Sequence, residues 1–363
     1  MDRKNIKLDE AIKAYFKEAP MSCEPYGNGH INDTFLVLSD ERYILQRMNT
    51  TIFKDPHGLM KNIIGVTEHI RKKIAAAGGD ADRCTLVLCP TLSGDKYFCD
   101  STEGYWRLYK FTERTVTREK VENANDFYLC AEAFGEFQRQ LADYPAEELT
   151  ETIANFHNTP WRYENLMNAV NNNVCNRLEG VLEEVEFAKA RKDFCGTLER
   201  AREAGKLPLR VTHNDTKLNN ILFDSESGKA LCVIDLDTVM PGYSVTDFGD
   251  SIRFGANTAA EDEADLSKVS LDLELFKVYA EGFIKGCGGS LTPTELELLP
   301  VGAIMMTLEC GMRFLTDYLE GDVYFKIHRD GHNLDRARNQ FALVADMERK
   351  LDEMNDIIKN IVK

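Results

Sequence analysis

Residues 211–237 constrain this chain more than any other stretch. They read Val-Thr-His-Asn-Asp-Thr-Lys-Leu-Asn-Asn-Ile-Leu-Phe-Asp and, after a polar break, Cys-Val-Ile-Asp-Leu-Asp. Two apolar runs, Asn220-Ile221-Leu222-Phe223 and Leu231-Cys232-Val233-Ile234, have the length and composition of strands. Asp224-Ser225-Glu226-Ser227-Gly228-Lys229 between them reads as a turn. A plain hairpin with Asn and Asp in its turn accounts for this composition. It does not account for the spacing of the other polar residues. His213 and Asp215 precede the first run, Asn220 opens it, and Asp235 ends the second.

Asp215, Asn220 and Asp235 form a carboxylate, amide and carboxylate set. Phosphoryl transfer from Mg·ATP needs such a set: one carboxylate orients and deprotonates the attacking hydroxyl, while an amide and a second carboxylate hold magnesium on the phosphates. The order His-x-Asp-x-x-x-x-Asn followed by Ile-Asp resembles the catalytic loop of the aminoglycoside phosphotransferase and choline kinase superfamily. Asn214 stands where a protein kinase has arginine.

The 363 residues suffice for two lobes with a sizeable core. A hydrophobic share of 43% and a charged share of 29% are ordinary for a globular chain. The net charge of −16 disfavours nucleic acid and anionic membrane surfaces, which need a basic face. It leaves ATP open, because magnesium and a few local donors reverse the field at one site. Ten cysteines occur without a CxxC pair or zinc-like spacing. The first residues lack an apolar signal core, so a reducing cytoplasm is the expected compartment.

Along the chain, 7–18 reads as a short helix stopped by Pro20. Glu24 to Leu38 reads as two strands around Gly27-Asn28-Gly29-His30-Ile31-Asn32, and Tyr43–Gln46 as a third. A helix is expected from about Pro56 to Ala77, then strands at Thr85–Cys89 and Trp106–Phe111. From Asn123 the pattern is mainly helical, including a long charged and apolar stretch over 163–204 and a buried helix over 302–320. The expected fold is α+β and bilobal. A small, mainly antiparallel β lobe spans 1–112 and a larger, mainly helical lobe spans 113–363.

Gly27 and Gly29 lie between strand-like runs, where glycine lets backbone N–H groups approach phosphates. An ordinary hairpin turn explains them equally well, and His30 in that loop reads as a turn residue or a substrate contact. Where a kinase carries its strand-three lysine this chain has Gln46. Either Gln46 acts as a neutral donor or another base takes over, and Lys217 is a candidate. Asp247-Phe248-Gly249 spells the kinase metal motif but lies 32 residues after Asp215. Asp235 follows a β run and is the better metal ligand; Asp247 reads as a helix N-cap or structural anchor, and Asp237 as a support for Asp235. Arg313 is the only basic residue in 302–320. It either pairs with Glu309 or Asp317 one turn away or presents its guanidinium to substrate oxygens.

Longer phrases resemble one branch of the superfamily, the N-acetylhexosamine 1-kinases. These are Glu24-Pro25-Tyr26-Gly27-Asn28-Gly29-His30-Ile31-Asn32, Tyr43-Ile44-Leu45-Gln46-Arg47-Met48-Asn49, the loop 209–220, Asp247-Phe248-Gly249-Asp250-Ser251 and Glu309-Cys310-Gly311-Met312-Arg313. The resemblance implies a protein-kinase-like fold and phosphorylation of N-acetylglucosamine or N-acetylgalactosamine at the anomeric hydroxyl, with ATP as co-substrate and Mg²⁺ as ion. It implies sugar contacts at His30, Asp215, Arg313 and Tyr324 and magnesium at Asn220 and Asp235. The nucleotide is expected at Gly27, Gly29, Asn32 and Gln46 and at the segment starting with Tyr109. A monomer is expected. Gln46 is shared with that branch.

Two rival readings remain. One is the same reaction on choline, homoserine, an aminoglycoside or another hexose. The other is a catalytically dead binding module, supported only by the missing lysine.

Overall fold

A computed structural model describes residues 6–27, 31–118, 121 and 123–363. The chain packs as two compact units. The first combines Met1–Thr117, Asp143–Ala154 and Asn220–Pro241; the second combines Arg118–Ala142, Asn155–Asn219 and Gly242–Lys363.

The first unit is organised by an antiparallel sheet. Strands Ser22–Pro25, Asp33–Leu38, Arg42–Arg47 and Tyr105–Lys110 follow one another, with the two-residue strands Leu88–Cys89 and Phe98–Cys99 beside the last. The expected strand at Thr85–Cys89 is thus confined to its final pair. Alternation along the strands sorts the side chains onto two faces. Phe35 lies opposite Leu45 and Leu45 opposite Leu108. With Val37 and Trp106 they form a buried cluster closed by Ala11 and Tyr15 of the helix Leu8–Tyr15. Each such side chain contributes about 1.5–3 kcal/mol by leaving water. The Tyr15 hydroxyl donates to the Trp106 carbonyl at 2.9 Å. On the opposite face Thr34, Gln46 and Arg107 stand in register across three strands. The helix Pro56–Ala76 starts where expected, capped by Asp55. The hairpin of Ile221–Asp224 with Ala230–Val233 belongs to this unit and also pairs with Thr115–Val116.

The second unit is helical. The apolar stretch expected over 302–320 is the end of a longer helix, Pro293–Glu320, started by a capping box of Thr292 and Glu295 and ended by Gly321 in the left-handed region. Among the described residues this is the one helix long and apolar enough to cross a membrane, but 83% of its most apolar window is buried inside the protein. Its apolar surface therefore serves the core. Helix Ser244–Gly255 crosses it at backbone contact. A Cβ on Gly249 would sit 2.2 Å from the Gly302 carbonyl oxygen, and one on Gly302 would sit 2.1 Å from that of Val245. Any side chain there would force the helices apart. The stretch 163–204 is not continuous. It breaks into Thr159–Asn172, Leu182–Lys189, Lys192–Cys195 and Thr197–Glu203. Asn173 ends the first in the left-handed region, a conformation Asn tolerates better than most residues.

Candidate active site

In the first unit, Asn220 and Asp235 meet at the open end of the hairpin. The Ile234 N–H donates to the Asn220 carbonyl at 2.9 Å, which sets Asn220 next to the residue before Asp235. Asp235 is exposed, with φ 58° and ψ 57°, and starts a tight turn over Leu236–Thr238. That left-handed backbone carries strain for a residue with a Cβ, so the turn must be held by its surroundings.

Asp237 holds it. Its carboxylate is buried, lies 2.6 Å from the Arg107 guanidinium and accepts a 2.6 Å bond from the Asn32 amide. Asn32 accepts in turn from the Asn49 N–H at 3.0 Å. Gln46 is the other support of Arg107: its oxygen accepts from Nε at 3.0 Å and from a terminal nitrogen at 2.9 Å, while its amide donates to Thr34 at 3.1 Å. Burial opposes the Arg107 charge, yet the Asp237 carboxylate, with Asp235 behind it, keeps this guanidinium firmly protonated. A positive charge thus exists one strand beyond the expected lysine position. Sequence reasoning missed Arg107, because cross-strand register is not visible in a linear pattern. Tyr109 is buried two positions further along that strand. Gly27 has φ 77°, a conformation that suits glycine. Gly29 and His30 lie outside the described residues.

The oxygens of Asn220 and Asp235 suit a hard cation. Among the described residues no three His, Cys, Asp or Glu side chains converge on one point. Magnesium does not require such a cage, since it keeps waters and phosphate oxygens as ligands.

In the second unit, the loop carrying Asp215 is fastened at several points. His213 is fully buried against Phe134 and Phe137. The backbone N–H groups of His213 and Asn214 both donate to the Asp247 carboxylate, at 2.8 and 2.7 Å, and Gln138 donates to it at 2.8 Å. Burial raises the Asp247 pKa, although these donors favour its ionised form. Asp247 is therefore tied into the loop as a structural anchor, and Tyr243, not Asp247, is the N-cap of its helix. Asn214 itself is left-handed, with φ 65°. Asp215 forms a 2.6 Å ion pair with Lys217. Burial opposes the lysine charge, but Asp215 and Asp250 outweigh it and raise the Lys217 pKa.

A cavity of about 350 Å³ lies in the same unit, lined by Arg162, Asn165, Asn168, Arg313, Thr316, Asp317, Glu320, Tyr324 and Phe325. Arg313 and Tyr324, eleven residues apart in the chain, share it. The Arg313 guanidinium carbon stands 5.6 Å from the ring centre of Phe156 and 5.5 Å from that of Phe325. Among the described residues it has no carboxylate partner. Glu309 is taken by His157 at 2.8 Å and Thr159 at 2.8 Å. Asp317 accepts the N–H groups of Val323, Tyr324 and Phe325 and the Asn333 amide. The intrahelical ion pair that would make Arg313 structural is not formed. Arg162 is a second cation here, also missed from sequence. It donates to the Phe156 carbonyl at 2.8 Å, and among the described residues its buried Nε has no partner. Burial and the neighbouring Arg313 push its pKa down to about 10.

Residues 22–274 match the model of the phosphotransferase enzyme family. The fold is shared with a microcompartment-associated aminopropanol kinase, at TM-score 0.61 and 16% identity over 96% of this chain and 98% of that one. It is shared with an amicoumacin kinase in complex with AMP-PNP, Ca²⁺ and Ami, at TM-score 0.59 and 12% identity over 96% and 94%. Choline kinase from Cryptosporidium parvum gives TM-score 0.55 and 14% identity over 98% and 99%. These likenesses bear out the α+β, protein-kinase-like fold read from the sequence. With its family model matched over most of its length, this chain belongs to the phosphotransferase enzyme family.

Proposed function

We propose that the protein is an ATP- and Mg²⁺-dependent anomeric kinase that converts N-acetylglucosamine or N-acetylgalactosamine to the α-1-phosphate. The observation that carries this reading is Arg313, which has no carboxylate partner among the described residues, is held between two rings, and faces a cavity lined also by Arg162, two asparagines, a tyrosine and the carboxylates of Asp317 and Glu320. A planar guanidinium bridges neighbouring oxygens, as a polyhydroxylated neutral acceptor requires. Asp317 is engaged by the Val323, Tyr324 and Phe325 N–H groups and the Asn333 amide, so an amino alcohol or aminoglycoside would set its ammonium beside two arginines with Glu320 as the counter-charge, at a cost in repulsion.

In this reading Asp215 orients the anomeric hydroxyl and accepts its proton, and Lys217 steadies that carboxylate. Asn220 and Asp235 would hold magnesium, which neutralises charge on the phosphates when bound. The Arg107–Asp237 pair keeps the Asp235 turn in its strained shape. Gly27, Gly29, Asn32, Gln46 and Tyr109 serve the nucleotide. Arg313, Tyr324 and His30 contact the sugar, and Arg162 joins them.

The test is ADP release from Mg·ATP across a panel of N-acetylhexosamines, plain hexoses, choline, homoserine and kanamycin. Release with the N-acetylhexosamines and little with the amines supports the reading. Release with an amine and none with sugars removes it.

A further inference from the structure

His157 lies in the sequence Asn155-Phe156-His157-Asn158-Thr159-Pro160. Its backbone is fixed on both sides. Asn155 is left-handed at φ 55°, and Asn158 caps the helix Thr159–Asn172 by accepting from the Trp161 N–H. The ring is thereby placed between two acceptors. Nδ1 is 2.8 Å from the Glu309 carboxylate and Nε2 is 3.2 Å from the Asn214 carbonyl. A carbonyl oxygen only accepts, so Nε2 must carry a hydrogen. The other oxygen of Glu309 already takes the Thr159 hydroxyl, and an ionised carboxylate also only accepts. With Glu309 ionised, both ring nitrogens carry hydrogens, which makes the ring an imidazolium.

The Asn214 carbonyl belongs to the peptide that leads into Asp215. Asp247 grips the N–H side of Asn214 and His157 grips its C=O side. A left-handed asparagine held at both ends stays strained; released at one end it can relax and turn Asp215 away.

We infer that His157 is a positioning residue for Asp215, working as an imidazolium that ties Glu309 to the Asn214 carbonyl. The inference rests on the reading of Asp215 as the catalytic base. The groups that set its charge come from two helices. Glu309 and Arg313 face it from Pro293–Glu320, and Asp250 from Ser244–Gly255. Burial and Arg313 oppose the proton, but the two carboxylates outweigh them and raise the His157 pKa. Glu309 is held below its ordinary value despite its burial, mainly by His157. As pH rises through the His157 pKa one of the two ring hydrogen bonds must go, and the loop loses its C=O-side hold.

The experiment has two arms on the full-length protein. In the first, ¹⁵N NMR of histidine-labelled wild type follows the ring titration, assigned with His157→Gln and Glu309→Gln. Two protonated ring nitrogens at pH 6.5, with a midpoint above that and lowered in Glu309→Gln, are expected. A midpoint at or below 6.5 overturns the inference. In the second, kcat is measured against pH. Wild type should lose kcat on the alkaline side at that same midpoint. His157→Gln should lower kcat about 10- to 100-fold, leave both KM values within about twofold, and lack that limb. A His157→Gln enzyme with wild-type kcat or an unchanged limb overturns the inference. If His157→Gln does not fold, wild type and Glu309→Gln decide both arms. An Asp215→Asn control with normal turnover would instead remove the base assignment, while the NMR arm would still report the ring.

Discussion

The Gln46 side-chain oxygen accepts two hydrogen bonds from the Arg107 guanidinium, at 3.0 and 2.9 Å. Gln46 and Arg107 are register partners on adjacent antiparallel strands. The amide therefore does not replace a missing charge; it orients one that the next strand supplies. That charge is aimed at Asp237, whose turn presents Asp235. The missing strand-three lysine, which favoured a dead binding module, is thus matched by a nearby buried cation.

Arg107→Met should leave the Asp237 carboxylate buried without its cation. Breaking a buried pair from one side costs about 3–5 kcal/mol. The check is the urea midpoint at neutral pH. A loss under about 1 kcal/mol would show that Asn32 alone suffices for Asp237.

Arg313→Lys keeps the charge but loses the planar fork. The acceptor KM or kcat/KM should worsen roughly 10- to 150-fold, corresponding to about 1.5–3 kcal/mol. The ATP KM should barely move. Because Glu309 and Asp317 are engaged elsewhere, stability should fall by no more than about 1 kcal/mol, the worth of the ring contacts. A lower melting temperature with unchanged acceptor kinetics would make Arg313 structural.

Asp235→Asn and Asp247→Asn should separate cleanly. The first should raise the Mg²⁺ concentration needed for half-maximal rate and lower kcat. The second weakens the acceptor for the His213 and Asn214 N–H groups and should cost about 1–3 kcal/mol of stability. A folded Asp247→Asn enzyme with altered Mg²⁺ dependence would reverse the two assignments.

The His157–Glu309 pair makes stability depend on pH in a defined window. The folded-state pKa of Glu309 is lowered, so its contribution is present above the unfolded value and is lost as pH falls through the folded value. That of His157 is raised, so its contribution is complete below an unfolded value of about 6.5 and is lost as pH rises through the folded value. The stability difference between wild type and Glu309→Gln should be largest between about pH 4.5 and 6.5 and shrink above it. Urea titrations across that range check it. A difference that grows toward pH 9 would contradict the pairing.

The sequence made some of this legible and hid the rest for physical reasons. Short apolar runs marked the strands around Tyr43–Gln46 and 221–233, and apolar density marked the helix containing Arg313. The candidate loop stood out because His213, Asp215, Asn220 and Asp235 lie close together in the chain. Arg107, Asp237 and His157 act through partners 152 residues away in the case of His157 and Glu309, and 130 in that of Arg107 and Asp237. No local pattern carries such pairings. Arg313 was visible as an isolated cation; that both carboxylates one turn away are occupied required the fold.

The central claim is the position phosphorylated. ¹H–³¹P NMR of the product from Mg·ATP and N-acetylglucosamine tests it most directly. The account predicts phosphorus coupled to the anomeric proton, with the small H1–H2 coupling of the α configuration, and no such product from Asp215→Asn under the same conditions. Phosphorus coupled instead to the exocyclic methylene protons, or found only on an amino-alcohol acceptor, would contradict it.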